Sequence, residues 1–270
     1  MAHLLGGEAL HVEYPTGVVF DSVTVGVGEG DRIGIVGRNG DGKSTLLGLL
    51  TGSLPPHAGR VTRRSGVRVG ALDQTDTLDP EHTVGWSLVG DRPEHEWAGD
   101  PRIRDVIGGL VADIPFDTAI GTLSGGQRRR VQLAALVIGD WDVVALDEPT
   151  NHLDIQGITW LAGHLKNRWA RGSGGLLLIT HDRWFLDEVA TTTWEVHDRI
   201  VEPFEGGVRV GSDEDQGSPL RWSEQVHECD DQAEDCAAGD GEAQALQEAR
   251  LDRGGSRAVG LPPVAGAGAG

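Results

Sequence analysis

The order of apolar and polar positions changes along this chain. Three segments, Arg32 to Val36, Asp142 to Leu146 and Gly175 to Thr180, are near-continuous apolar runs with helix-like sequence between one and the next. Runs with no polar face predict parallel strands buried on both sides, and their alternation with helices predicts a doubly wound α/β layer. Ahead of them, Val18 to Val27 alternates valines with glycine punctuation, which predicts an antiparallel strand pair. Between Thr83 and Ile120 the period lengthens. Trp86, Val89, Ile103, Val106, Ile107 and Leu110 recur at helical spacing and predict a small helical subdomain. No motif occurs twice, so the pattern describes one catalytic-type unit without internal repeats.

From about Gly206 the pattern fades into acids, Gly, Ala and Gln, ending in Pro262-Pro263 and an Ala/Gly alternation, a composition expected to stay disordered. Charge sharpens that boundary. The formal net charge is −19, and residues 211–270, with 13 acids and 4 bases, carry −9 of it. An acidic surface repels phosphate backbones, which disfavours tight nucleic-acid binding over the whole surface while leaving local contact open. The 270 residues, 38% hydrophobic, suit one sizeable domain with an appendage. The longest apolar run, Leu133 to Ile138, is far short of the roughly 20 residues that a bilayer span needs. Met1 to Leu10 lacks the basic start and apolar stretch of a secretory signal, so a cytoplasmic location is expected. The two cysteines, Cys229 and Cys236, lie in a polar segment and provide no disulfide framework. With His227 they match no common zinc spacing.

The strand ending at Val36 runs into Gly37-Arg38-Asn39-Gly40-Asp41-Gly42-Lys43-Ser44-Thr45 and then the helix-like Leu46 to Leu50. This is G-x-x-x-x-G-K-[ST] between a strand and a helix. Glycines let successive backbone N–H groups point inward at phosphate oxygens, and the helix N-terminus adds favourable partial charge. Lys43, one of two lysines in the chain, is placed to reach the β and γ phosphates, and Ser44 to ligate Mg²⁺ through its hydroxyl. A second strand, through Val143 and Leu146, ends in Asp147-Glu148. Carboxylates after a strand are often a solvated loop. Paired with a phosphate loop, they fall at the strand ends where open α/β sheets bind ligands. Asp147 suits Mg²⁺, held through water, and Glu148 suits polarisation of the attacking water.

Leu123-Ser124-Gly125-Gly126-Gln127, upstream of the acidic strand, resembles the signature of ATP-binding cassette (ABC) proteins. Asp147-Glu148-Pro149-Thr150-Asn151-His152-Leu153-Asp154 and Thr180-His181-Asp182-Arg183-Trp184-Phe185-Leu186-Asp187 resemble the soluble ABC-F branch, in particular the first cassette of its Uup-like members. The resemblance covers roughly residues 8 to 206. It implies a P-loop NTPase of ABC type: an α/β fold with a parallel sheet core, an N-terminal antiparallel β part and a small helical subdomain at about 83–135. Residues 1–206 are then the nucleotide-binding domain and 207–270 an acidic tail. The implied cofactors are ATP and Mg²⁺. By resemblance, Gln74 senses Mg²⁺ and the attacking water, and His181 contacts the γ-phosphate. Tyr14, the one tyrosine, matches an aromatic that stacks on adenine, although packing explains it equally well. Ser124 at a helix start leaves N–H groups beside Gly125 and Gly126, which reads either as an anion cradle or as a helix cap. In the family that cradle completes the site of a facing cassette, with Asp154 crossing the same interface, so a second cassette is the implied partner, in a homodimer or from a separate chain.

ABC-F proteins usually carry two cassettes joined by a basic helical linker that reaches ribosomal RNA. Here one cassette is followed by an acidic, Gly/Ala-rich segment, which suggests truncation or a shifted reading frame and weakens the implied ribosome association. The basic run Arg128-Arg129-Arg130 reads most simply as a solvated helix face, and most of the eight tryptophans, Trp86, Trp160 and Trp194 among them, as packing residues. The function expected is Mg²⁺-dependent ATP hydrolysis by a cassette active with a second cassette. The alternatives are an ATP-binding module with negligible turnover and the energising subunit of a transporter.

Overall fold

In the computed structural model the described residues are 2–72 and 77–205. In chain order the elements are β1 (His3–Tyr14), β2 (Gly17–Gly28), β3 (Arg32–Val36), α1 (Lys43–Thr51), β4 (Ala58–Arg63), β5 (Val69–Leu72), α2 (Val84–Val89), α3 (Glu94–Trp97) and α4 (Pro101–Leu110). They continue with α5 (Gly125–Ile138), β6 (Val143–Asp147), α6 (Ile155–Asn167), β7 (Gly175–Ile179), α7 (Arg183–Val189), β8 (Thr192–His197) and β9 (Ile200–Glu205). One sheet is antiparallel, in the order β2-β1-β4. The other runs β5-β6-β7-β3-β8-β9, parallel from β5 to β8 and closed by the antiparallel hairpin β8-β9.

The apolar runs form the centre of the parallel sheet for the reason their pattern suggests. Every residue of β6 and β7 is buried, because helices cover one face and α1 with the antiparallel sheet the other. Helix α1 is buried at Leu46, Leu47, Gly48, Leu49 and Leu50, on more than one side. It lies in a core shared by Leu5, Leu10 and Phe20 of the antiparallel sheet and Ile33, Ile35, Ala145 and Leu177 of the parallel one. A helix apolar all round is stable only when enclosed in this way.

Three expectations need correction. Residues 18–27 are not a strand pair but most of the single strand β2, whose partner is β1. The glycine taken as punctuation, Gly26, pairs with Gly6 inside the ladder, and the left-handed Ser22 (φ 63°) interrupts the strand's regularity without ending it. Trp86 does not pack into the core. Thr83 caps α2 and turns Val84, Gly85, Leu88 and Val89 inward, leaving Trp86 49% exposed and stacked on His82 at 3.6 Å between centroids. Trp194 is 3% exposed in the core, and Trp160 is half-buried against His164. The acidic strand is shifted by one residue. Asp142 lies just before β6, where its carboxylate accepts the Arg68 N–H at 2.8 Å, and Asp147 closes the strand. Residues 207–270, read as a disordered tail, lie outside the described residues, and His227, Cys229 and Cys236 with them.

Candidate functional site

The C-terminal ends of β3, β6 and β7 open onto one cleft of about 690 Å³. Its lining includes Asn39, Gly40, Gly42, Lys43, Ser44 and Thr45 from the loop after β3, Asp147 and Glu148 from β6, and His181 after β7. The loop's shape depends on glycine at two points. Gly37 has φ 149° and a Cβ there would stand 2.3 Å from the Val196 carbonyl oxygen. Gly42 has φ 102° and a Cβ would stand 2.5 Å from Cγ1 of Val19. Asp41 folds back to accept the Arg38 N–H at 3.0 Å. The Lys43 ammonium donates to the carbonyls of Gly37 at 2.8 Å and Arg38 at 2.9 Å. Burial lowers its pKa, while Asp41, Glu148 and Asp147 oppose that shift.

The acidic pair is held deep in the cleft. Asp147 is 2% exposed, and its Oδ1 has no hydrogen-bond partner among the described residues. A buried carboxylate oxygen without a donor is costly unless a cation serves it. Its hard-oxygen chemistry, with the Ser44 hydroxyl on the same cleft wall, fits Mg²⁺. Glu148 takes a left-handed φ of 49°. His181 Nε2 stands 3.3 Å from Glu148 Oε1, yet that oxygen is buried without an aligned hydrogen bond. Burial pushes the Glu148 carboxyl above the usual carboxylate range and the Asp147 charge adds to the push, while His181 and Lys43 pull it back.

The remaining expected residues lie elsewhere. Ser124, Gly125 and Gly126 open α5 outside this cleft, with Ser124 and Gly126 on a separate cavity of about 860 Å³ that they share with His152 and Asp154. Ser124 acts as a helix cap. It accepts the Gln127 N–H at 3.2 Å while Gln127 Oε1 accepts the Ser124 N–H at 3.0 Å, a complete capping box. Asp154 likewise caps α6, accepting the Gly157 N–H at 2.8 Å. Tyr14 ends β1, 40% exposed and edge-on to His57. Two residues back, Val12 pairs with Phe20, which touches the Gly42 position. Gln74 lies outside the described residues.

The arginine run is not a solvated face. Arg130 is half-buried and grips both carboxylate oxygens of Asp113, at 2.7 and 2.8 Å, and Arg129 donates to the backbone carbonyl of Asp147 at 2.8 Å. Consecutive residues on a helix point about 100° apart, and the sequence alone does not say what folds against each. Thr150, Asn151 and Asp182 also line the cleft. They sit inside the two strings that carried the resemblance, so position relative to Glu148 and His181 was an available signal.

The family described as "ABC transporter" matches residues 20–151. The energy-dependent translational throttle protein EttA of Mycobacterium tuberculosis is 33% identical over 226 residues, covering 70% of this chain and 40% of EttA. The tylosin resistance ATP-binding protein TlrC of Streptomyces fradiae is 33% identical over 230 residues, 70% of this chain and 41% of TlrC. The probable ATP-binding protein YheS of Escherichia coli is 33% identical over 206 residues, 75% and 31% respectively. The chain therefore spans well under half the length of these curated relatives. Among solved structures, an ATP-binding subunit of an ABC transporter superposes with a TM-score of 0.64 at 21% identity, over 75% of this chain and 90% of the other, which is a likeness of fold.

Proposed function

The chain is a member of the ATP-binding cassette family, and from that premise we propose that it binds ATP with Mg²⁺ and hydrolyses it as a soluble ABC-F type cassette whose site a second cassette completes. The observation that carries this reading is a buried carboxylate beside a half-buried one, with the buried oxygens Asp147 Oδ1 and Glu148 Oε1 lacking hydrogen-bond partners among the described residues, on the same cleft as Lys43 and Ser44. The triphosphate lies along the N–H groups of the loop from Gly37 to Thr45. Lys43 exchanges its contacts with the Gly37 and Arg38 carbonyls for the β and γ phosphates. Ser44 and, through water, Asp147, with Gln74, would hold Mg²⁺, which would supply charge neutralisation at those phosphates. Glu148 accepts the proton of the attacking water, and His181, beside it, contacts the γ-phosphate. Tyr14 offers its exposed ring to adenine.

Ser124, Gly125 and Gly126, set apart from this cleft, face the second cassette in the proposal, with Asp154 beside them. The translational relative supports the ribosome as a partner, and the acidic segment after 206, where a basic linker would sit, argues against it. No helix among the described residues is long and apolar enough to cross a membrane. The string from Thr180 to Asp187, which resembles the ABC-F branch, is what favours that reading over a transporter subunit.

Sizing the Glu148→Gln variant with and without Mg-ATP tests the proposal. The expected result is doubled mass with Mg-ATP, together with wild-type turnover per chain that rises with protein concentration and falls by about 10²- to 10⁴-fold in the variant. A monomer in both conditions, with ATP bound and turnover negligible at every concentration, favours the binding-module reading instead.

A further inference from the structure

The peptide that joins Asp147 to Glu148 is held from two directions. Its N–H donates to the Ile179 carbonyl of β7 at 2.9 Å, and its carbonyl accepts Nη2 of Arg129, on α5, at 2.8 Å. Glu148 follows in a left-handed conformation that a glutamate adopts only when its surroundings impose it. Arg129 is itself fixed on a polar chain. Its Nη1 donates to Gln132 Oε1 at 3.3 Å, and Gln132, 9% exposed, donates through Nε2 to the Thr77 hydroxyl at 3.1 Å. Arg129 and Gln132 also border a cavity of about 330 Å³ that reaches Glu148, Asn151 and His152.

We infer that Arg129 is a positioning residue for Glu148. By clamping the Asp147 carbonyl it sets the plane of the peptide from which the Glu148 side chain springs, and so ties the second turn of α5, one turn beyond Ser124, to the placement of that carboxylate. Arg129 touches neither substrate nor metal in this role. Its catalytic consequence rests on the reading of Glu148 as the base. Loss of the clamp frees the peptide to rotate, and displacement of a reacting group by about 1 Å costs up to about 100-fold in rate.

Site-resolved amide exchange in the full chain, comparing Glu148 with Val144 inside β6, reads the clamp without any turnover. In Arg129→Met the Glu148 amide is expected to exchange about tenfold faster relative to Val144, and kcat to fall about tenfold with KM held within twofold. Arg129→Lys, which retains a donor able to reach the carbonyl, is expected to restore most of both. Arg130→Met, which removes the Asp113 grip on the same helix, is expected to speed both amides equally. If Arg129→Met does not fold, Arg129→Gln, too short to reach the carbonyl, replaces it. A Glu148 to Val144 ratio equal to wild type in the folded variant overturns the inference. A wild-type chain that binds ATP and never turns it over counts against the hydrolytic reading, while the exchange ratio still decides the role of Arg129.

Discussion

Glu148 concentrates three separate costs at one residue: a buried carboxylate, a neighbouring Asp147 charge and a left-handed backbone. In the folded chain its pKa is raised, so its ionisation opposes folding, and that penalty is absent below the ordinary carboxylate range near about 4.3 and grows as pH rises through the folded value. Glu148→Gln is therefore expected to raise Tm at neutral pH, with the gain vanishing under acidic conditions where wild-type Glu148 is protonated; melting curves across pH measure it. A gain independent of pH would place the effect outside this carboxyl. Turnover has the opposite dependence. The base must be ionised, so the acid limb of the rate profile is expected above the usual carboxylate range. The sequence made the residue type and its place after an apolar strand legible. The burial and the 3.3 Å approach of His181 were not, because β6 and β7 become neighbours only through the sheet order.

At the scale of elements, α5 carries two kinds of information in its first turn. The motif Ser-Gly-Gly-Gln is legible in the sequence both as a family signature and as a capping box, and the structure realises the box in full. Ser124→Ala is expected to destabilise the chain by about 1 kcal/mol, read as a lower Tm, whereas Ser124→Asn keeps a capping acceptor and most of the stability. If the hydroxyl also meets nucleotide across a second cassette, both variants lose the Mg-ATP-dependent doubling of mass, and the Asn variant separates capping from that contact. The turn after the cap was less legible. Three consecutive arginines occupy three different directions on a helix, and only the packed neighbours decide that Arg130 meets Asp113 while Arg129 meets the end of β6. The same limit explains Trp86: helical spacing puts it on α2, but the inward turn of Val84, Leu88 and Val89 puts it outside.

Across the whole molecule, the phosphate loop is supported by the core. Helix α1 begins at Lys43 and lies between the two sheets, so the loop's position depends on packing on both sides of the helix. Leu49→Ala, at a fully buried position in that layer, is expected to lower stability by about 2–5 kcal/mol by denaturant titration. It should also weaken ATP binding in the chain that remains folded, while a core position in the helical region, such as Ile103→Ala, costs stability with ATP affinity unchanged. From sequence patterning came the α/β class, the central parallel strands, the phosphate loop and the acidic strand end, because burial on both faces and phosphate binding each demand a short contiguous run of particular residues. The tertiary structure decided that β2 is one long strand paired with β1, that α1 is enclosed between two sheets, and that Arg129 reaches the Asp147 carbonyl. Those depend on contacts between residues far apart in the chain, and a local pattern carries the periodicity of a surface but not the identity of what packs against it.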